Sequence, residues 1–332
     1  MTKWLPYGAN GCTGELIARE ARRQGLAPVL AGRNLTPVKL LAEDFGLEHR
    51  IFDLRDADAQ LSDVDVVLHC AGPFSVTAAP MIDACLRTRT HYLDITGEME
   101  VFAYVREIDG QARAAGVVVC PGVGFDPPFV LSPGTVKTIV EGMAAGGHAR
   151  INGRIVRTPL GGRTARIDFG DGIKPALAFP AADISSAHHS TGIPNIEVYI
   201  PLPSLLIRGT RISRRFTGLL ARPRVRDTAH KLIEKTVKGP DVQERATSSA
   251  HVWGETTNTT GQRLTARITT ANPYRLTIDG ALTAVTELLA APTAHRGAHT
   301  PATLFGADLI TRLPGSGPLT ITTLHETEGT PT

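Results

Sequence analysis

The chain has 332 residues, of which 42% are hydrophobic and 20% charged, and a formal net charge of +3. There is apolar material for two domains, and too little charge imbalance for a polyanion partner over the whole surface. Aromatic residues, at 5%, are too few for a base-stacking surface, so no nucleic-acid partner is expected.

The first 126 residues alternate short apolar strands with amphipathic helices. Lys3–Tyr7 reads as a strand, Thr13–Gln24 as a helix, Ala27–Ala31 as a strand and Pro37–Phe45 as a helix. Strands follow at Arg50–Leu54, Val64–Cys70, His91–Asp94 and Val117–Cys120, with helices at Ala79–Arg87 and Val101–Ala115. The almost continuous apolar run VDVVLHC marks a strand covered on both faces, as in a parallel sheet. Pro6 removes a ladder donor and is expected at the end of its strand. After Asp126 the pattern changes. Thr135–Ala145 reads as a helix, and from Arg150 to Phe179 short β runs with Gly turns predict an antiparallel sheet. Arg245–Glu255 and Gln262–Thr270 form a hairpin, Leu276–Ala290 is the final helix, and the last ~15 residues read as a loose tail. The expected fold is α/β: a Rossmann-type doubly wound parallel sheet (1–126), a second α+β domain with a mostly antiparallel sheet (127–290), and a carboxy-terminal return segment and tail (291–332).

Gly8-Ala9-Asn10-Gly11-Cys12-Thr13-Gly14 stands between the first strand and the first helix, with the spacing G-x-x-G-x-x-G. Glycine permits the tight turn and a close backbone approach, and the free amides opening the helix suit a diphosphate. The second strand ends in Arg33-Asn34, where an NAD site usually has an acidic residue. A guanidinium there suits a 2′-phosphate, which favours NADPH over NADH. Asp53 is a candidate adenine-side acceptor. Ala71-Gly72-Pro73-Phe74 offers small residues at the carboxyl edge of the fourth strand, where a cofactor crosses. Tyr92–Glu98 and Pro121–Asp126 follow the next two strands. Their carboxylates either orient substrate and relay protons or cap the following segments.

Four cysteines (Cys12, Cys70, Cys85, Cys120) form no C-x-x-C pair, which excludes a Cys-based zinc site and fits a reducing cytoplasm. His188-His189 lack a third metal ligand at helical spacing. The sequence opens almost directly on the first strand and runs straight into the glycine motif, so no signal peptide is expected. No apolar stretch reaches ~20 residues without Gly or Pro. No Tyr is followed four residues later by Lys, and there is neither a G-x-S-x-G elbow nor a P-loop. From Arg208 to Lys238 the chain holds ten Lys/Arg and two acids. This segment reads as a solvated helix face or as a docking surface for an acidic carrier protein or an anionic membrane.

Taken in order, YGANGCTG, LAGRN, VVLHCAGPF, YLDITGE, PGVGFD, STGIPNIEVY and FGAD resemble saccharopine dehydrogenase-like NAD(P)-binding oxidoreductases, nearest the bacterial trans-acting enoyl reductase branch. The resemblance implies a Rossmann-type domain, a second α/β domain, a nicotinamide cofactor and cofactor contacts at Gly8, Gly11, Thr13, Gly14, Arg33, Ala71 and Gly72. It places His189, Ser190, Thr191, Gly192 and Asn195 near the substrate cleft. In one departure from that pattern, Asp126 is followed by only PPFVL before Ser132, shorter by a strand and a helix. Three functions are open: an enoyl thioester reductase, with a possible homodimer; an imine reductase using Arg157, Arg163 and Arg166 for carboxylates; and a non-catalytic NADP(H) sensor or scaffold. For the first, the candidate catalytic residues are His189, Tyr199, Ser190 and Asp126, with Thr191, Asn195 and Phe125 at the substrate.

Overall fold

The computed structural model describes residues 2–124, 147–159, 161–213, 248–291 and 293–324. The expected helix at Thr135–Ala145, and the basic run beyond residue 213, lie outside these residues. Seven parallel strands form the central sheet: β1 (Trp4–Tyr7), β2 (Leu30–Gly32), β3 (His49–Ile51), β4 (Val66–His69), β5 (His91–Asp94), β6 (Val118–Cys120) and β14 (Gly297–Ala298). Their order is β14-β6-β5-β4-β1-β2-β3. The chain winds outward from β1 to β3, then returns to β4 and winds the other way. The reversal leaves a crevice between the carboxyl ends of β1 and β4, where ligands bind in open sheets of this kind.

Both faces of the sheet are covered, and alternate residues serve each. Leu5, Tyr7, Val67, Tyr92 and Val119 pack with helices α3 (Ala57–Leu61), α4 (Phe74–Thr88), α5 (Met99–Glu107) and α6 (Asp109–Ala115). Trp4, Val66, Leu68, Leu93, Val118 and Cys120 face the opposite way. They pack against Ile17 and Ala21 of α1 (Cys12–Arg23) and Ile278, Ala281, Leu282 and Val285 of α9 (Pro273–Ala290). Helix α9 starts with Pro at its first turn and Asn272 as its cap, the side chain accepting from the Tyr274 amide at 2.9 Å. A polar clamp joins the two covering helices. Glu20 of α1 accepts from Arg23 and from Arg275 of α9, and Arg275 also bonds Asp279.

Several expectations are corrected. Pro6 is the third of four residues in β1 rather than its last. Trp4 O and Gly8 N bond Val29 N and Ala31 O, so the missing Pro6 donor falls on the β2 side. There a single pair, Tyr7↔Ala31, is in register, against four on the β4 side. The helix expected over Val101–Ala115 is two, α5 and α6, broken at Ile108. The run after β3, read as strand to Leu54, turns into a 3₁₀ segment at Leu54–Asp56 capped by Asp53. The expected loose tail contains a strand, β15 (Thr320–Leu324).

Beyond the main sheet, β7 (Gly147–Ile151) pairs with β8 (Arg154–Thr158), and β9 (Thr164–Asp168), β10 (Ile173–Ala178) and β11 (Tyr199–Pro201) form an antiparallel sheet. A third sheet holds the expected hairpin, β12 (Ser249–Thr257) and β13 (Arg263–Ala271), with β15 added at its edge. Helix α7 (Asp183–Thr191) follows β10 and packs against α5 and β7, and α8 (Ser204–Ser213) follows β11. No helix among the described residues is long and apolar enough to cross a membrane, and no metal-binding cluster occurs among them.

Asp94, at the carboxyl end of β5, holds the main sheet's loops in place. Its carboxylate accepts from Thr96 N at 2.9 Å, Gly122 N at 2.8 Å and the Tyr92 hydroxyl at 2.8 Å. It is fully buried, and desolvation pushes its pKa up to about 6 against the pull of these donors. Unfolded, the carboxyl titrates near ~3.9. Between about pH 4 and 6 the folded state therefore binds more protons than the unfolded one, and stability at this site falls as pH rises. Asp94→Asn keeps an acceptor for the amides and no longer ionises. Its melting temperature relative to wild type is expected to rise between pH 4.5 and 7.5; a gap that stays constant or shrinks contradicts this. Leu282→Ala, by emptying a buried position between α9 and the sheet, is expected to lower unfolding free energy in urea by about 2–5 kcal/mol.

Candidate functional site

The turn from β1 into α1 is built from backbone. Gly8 has φ +88°, and a Cβ there would lie 2.8 Å from the Ala71 Cβ, so the exits of β1 and β4 close on each other only through glycine. Gly8 N and Ala9 N both bond Ala31 O, and Gly11 N bonds Gly8 O at 2.9 Å. A Cβ at Gly14 would overlap the Gly8 carbonyl, which sets the start of α1 against the turn. The amino-terminal cap of α1 is Gly11, and no side chain caps the helix. Cys12 is exposed and Thr13 half-buried at this first turn. Asn10 packs its amide oxygen beside Gly32, 3.1 Å from where a Cβ would stand. A turn with three glycines and no side-chain cap, at the positive end of a twelve-residue helix, fits a diphosphate.

Arg33 follows β2, is exposed, and lies within ion-pair distance of no described carboxylate. Asn34 opens helix α2 (Leu35–Phe45) without a side-chain bond. Asp53 is engaged locally. It accepts from Arg55 N and Nε, both at 3.2 Å, and these bonds hold its carboxyl below the usual range. Tyr7, beneath this corner, donates its hydroxyl to Phe52 O at 3.1 Å, and burial raises its pKa to about 12.

At the carboxyl edge of β4, Ala71 and Phe74 are half-buried, and Gly72 and Pro73 are exposed. The Gly72–Pro73 peptide is cis. Two groups missed in sequence shape this loop. The Thr77 hydroxyl donates to Ala71 O at 2.7 Å and lies 2.9 Å from Nε2 of the buried His69. Burial lowers the His69 pKa to about 3, so the ring is neutral. Glu98 sits across the amino terminus of α4, accepting from Phe74 N at 2.9 Å and Ser75 N at 2.6 Å. Of the two roles open for these carboxylates in sequence, Asp94 and Glu98 take the capping one. The clue to His69 is a histidine ending an otherwise apolar strand.

The remaining sequence candidates do not gather at this edge. His189, Ser190 and Thr191 lie on helix α7. Ser190 hydrogen-bonds Ser186 O and the Thr300 hydroxyl, and Thr191 donates to Ala187 O. His189 is exposed, in a cavity it shares with Arg106, Asp109, His188, Gly192 and Ala298 at the β14 edge. Asn195 is exposed and accepts from Asn152 N at 2.9 Å, which steadies the β7–β8 turn. Tyr199 donates to Glu197 at 2.6 Å and packs with Ile167 and Phe169 in the β9–β11 sheet. Phe125 and Asp126 lie outside the described residues. Among the arginines of the imine reading, Arg163 pairs with Glu197, and Arg157 and Arg166 are exposed on different sheets.

Residues 4–120 match the saccharopine dehydrogenase NADP binding domain family. A trans-acting enoyl reductase of Mycobacterium leprae is 33% identical over 131 residues, covering 36% of this chain and 31% of the relative. The human saccharopine dehydrogenase-like oxidoreductase is 26% identical over 144 residues, covering 36% and 33%. These matches span about a third of each curated relative's length. In fold, the chain is similar to apo saccharopine dehydrogenase (L-Glu forming) from Saccharomyces cerevisiae. The TM-score is 0.64 at 11% identity, over 98% of this chain and 100% of that one. The glycine turn and the reversal between β1 and β4 lie within the same residues, 4–120, that match the saccharopine dehydrogenase NADP binding domain family.

Proposed function

We propose that the protein is an NADPH-dependent reductase acting on an enoyl C=C bond of an acyl or polyketide thioester. The observation that carries the cofactor half is the uncapped start of α1 behind a turn closed by Gly8 and Gly14, with Arg33 one strand away. Amides of the Gly8–Gly14 turn would hold the diphosphate, and Arg33 the 2′-phosphate. Bound NADPH supplies a hydride to an electron-poor carbon. The loops at 70–74, 95–98 and 121–124 lie at the carboxyl ends of β4, β5 and β6 and would flank the acceptor. Asp94 and Glu98 hold these loops rigid, which fixes acceptor orientation.

Reduction of an enoyl thioester adds hydride at the β carbon and a proton at the α carbon, and the enolate oxygen needs a donor. Ser190 is engaged by Ser186 O and the Thr300 hydroxyl, and Thr191 by Ala187 O, which directs that task to the carboxyl-edge loops. The enoyl substrate is supported by the name of the Mycobacterium leprae relative. Amino-acid imines would need converging cations, and Arg157, Arg163 and Arg166 do not converge.

Two variants test the cofactor site. Gly11 has φ −77° and ψ 162°, which suit an aspartate cap, and its Cβ would press 3.2 Å from Gly8 O. Gly11→Asp is expected to preserve folding while placing a carboxylate on the diphosphate amides. NADPH affinity, followed by fluorescence, should fall at least ~tenfold with the melting temperature held. Arg33→Ser should weaken NADPH by about 10–100-fold and leave NADH within about twofold. Equal losses for both nucleotides would remove the 2′-phosphate role. Turnover is checked by NADPH oxidation with an enoyl-carrier substrate; tight cofactor binding without turnover would exclude this substrate.

A further inference from the structure

We propose that the cavity bounded by α5, α6, α7 and β14 binds a phosphomonoester group, at a site separate from the dinucleotide. The cavity measures about 440 Å³ and is lined by Arg106, Asp109, His188, His189, Gly192 and Ala298. It sits at the β14 edge, four strand positions from β1. At ~4.8 Å per strand, that is about 19 Å from the glycine turn.

The charge of the lining is positive. Asp109 is its single acid, and both carboxylate oxygens are committed. Oδ1 accepts from Ala298 N at 2.8 Å and Oδ2 from Arg113 Nε at 2.8 Å. Arg113 balances that charge, which leaves the Arg106 guanidinium, exposed and paired with no described carboxylate. His188 Nδ1 lies 2.8 Å from Ile193 O, so Nδ1 is the donor that this carbonyl accepts from. Arg150 of β7, bonded to Ile184 O at 2.9 Å, acts on Arg106 from the α7 side. On the β14 side stand Arg296 and the rings of His295 and His299, 5.8 Å apart. With His189 neutral the lining carries one uncompensated cation, and with His189 charged it carries two.

A planar guanidinium beside two titratable imidazoles suits a dianion with several acceptor oxygens. The volume exceeds that of a bare ion and leaves room for an organic group on the phosphate. Burial and the Arg106 charge hold the His189 pKa below the ordinary range, with Asp109 opposing. An arriving dianion reverses that field, so binding takes up protons and tightens as pH falls from about 8 to 6.

The experiment is an NMR titration of the histidine ring resonances of the full chain at pH 6.5 and matched ionic strength. The probes are glycerol phosphate, inorganic phosphate and acetate. Glycerol phosphate is expected to shift the His188 and His189 rings saturably at millimolar concentration, at least as tightly as phosphate, and to weaken at least ~fivefold by pH 8. Acetate should leave the rings unmoved. Arg106→Ala should weaken the midpoint at least ~fivefold with NADPH affinity unchanged, and Arg106→Lys should recover part of it. No saturable shift, an equal response to acetate, tighter binding of the free ion, or an indifferent Arg106→Ala would each overturn the proposal. Should Arg106→Ala fail to fold, the wild-type titration decides alone.

Discussion

The start of α1 can approach the end of β1 only because neither Gly8 nor Gly14 carries a side chain. A Cβ on Gly14 would overlap the Gly8 carbonyl, and one on Gly8 would press on the Cβ and amide of Ala71. This contact brings the helix amino terminus to the crevice between β1 and β4, where the winding of the sheet reverses. The placement of the anion cradle follows from it, and so does the distance from that cradle to Arg33 at the end of the neighbouring strand. Ile17 and Ala21 then bury the helix on the sheet, and the Glu20–Arg275 bond ties it to α9.

Two carboxylates finish the edge, one buried and one half-buried. Asp94 gathers the loops after β5 and β6, and Glu98 closes the amino terminus of α4. Each replaces water at backbone amides that would otherwise be unsatisfied in a half-buried loop. The carboxyl edge is thereby a rigid floor, while the β14 edge carries the separate cluster of histidines and arginines. One sheet thus presents two sites of opposite design: a nearly side-chain-free cradle at its centre, and a charged cavity at its rim.

The parallel sheet was legible because its strands are short apolar runs buried on both faces; Val66–His69 and His91–Asp94 stand close to where the pattern placed them. The glycine turn was legible because its physics is local. What failed depended on distant contacts. Pro6 is tolerated inside a central strand because its missing donor meets the side where β2 pairs at one position. Thr320–Leu324, polar in composition, becomes a strand because β13 offers it an edge. His189 and Tyr199 stand in a sequence run that resembles the family's, yet the chain places them on a helix flank and in a separate sheet.

In the proposed reading, the Gly8–Gly14 turn and Arg33 together select a nicotinamide dinucleotide bearing a 2′-phosphate. Isothermal titration calorimetry of the purified wild-type chain with NADPH and NADH tests it most directly. One site with NADPH bound at least ~tenfold more tightly than NADH is the predicted result. Equal affinity for the two, or heat from neither, would contradict the account.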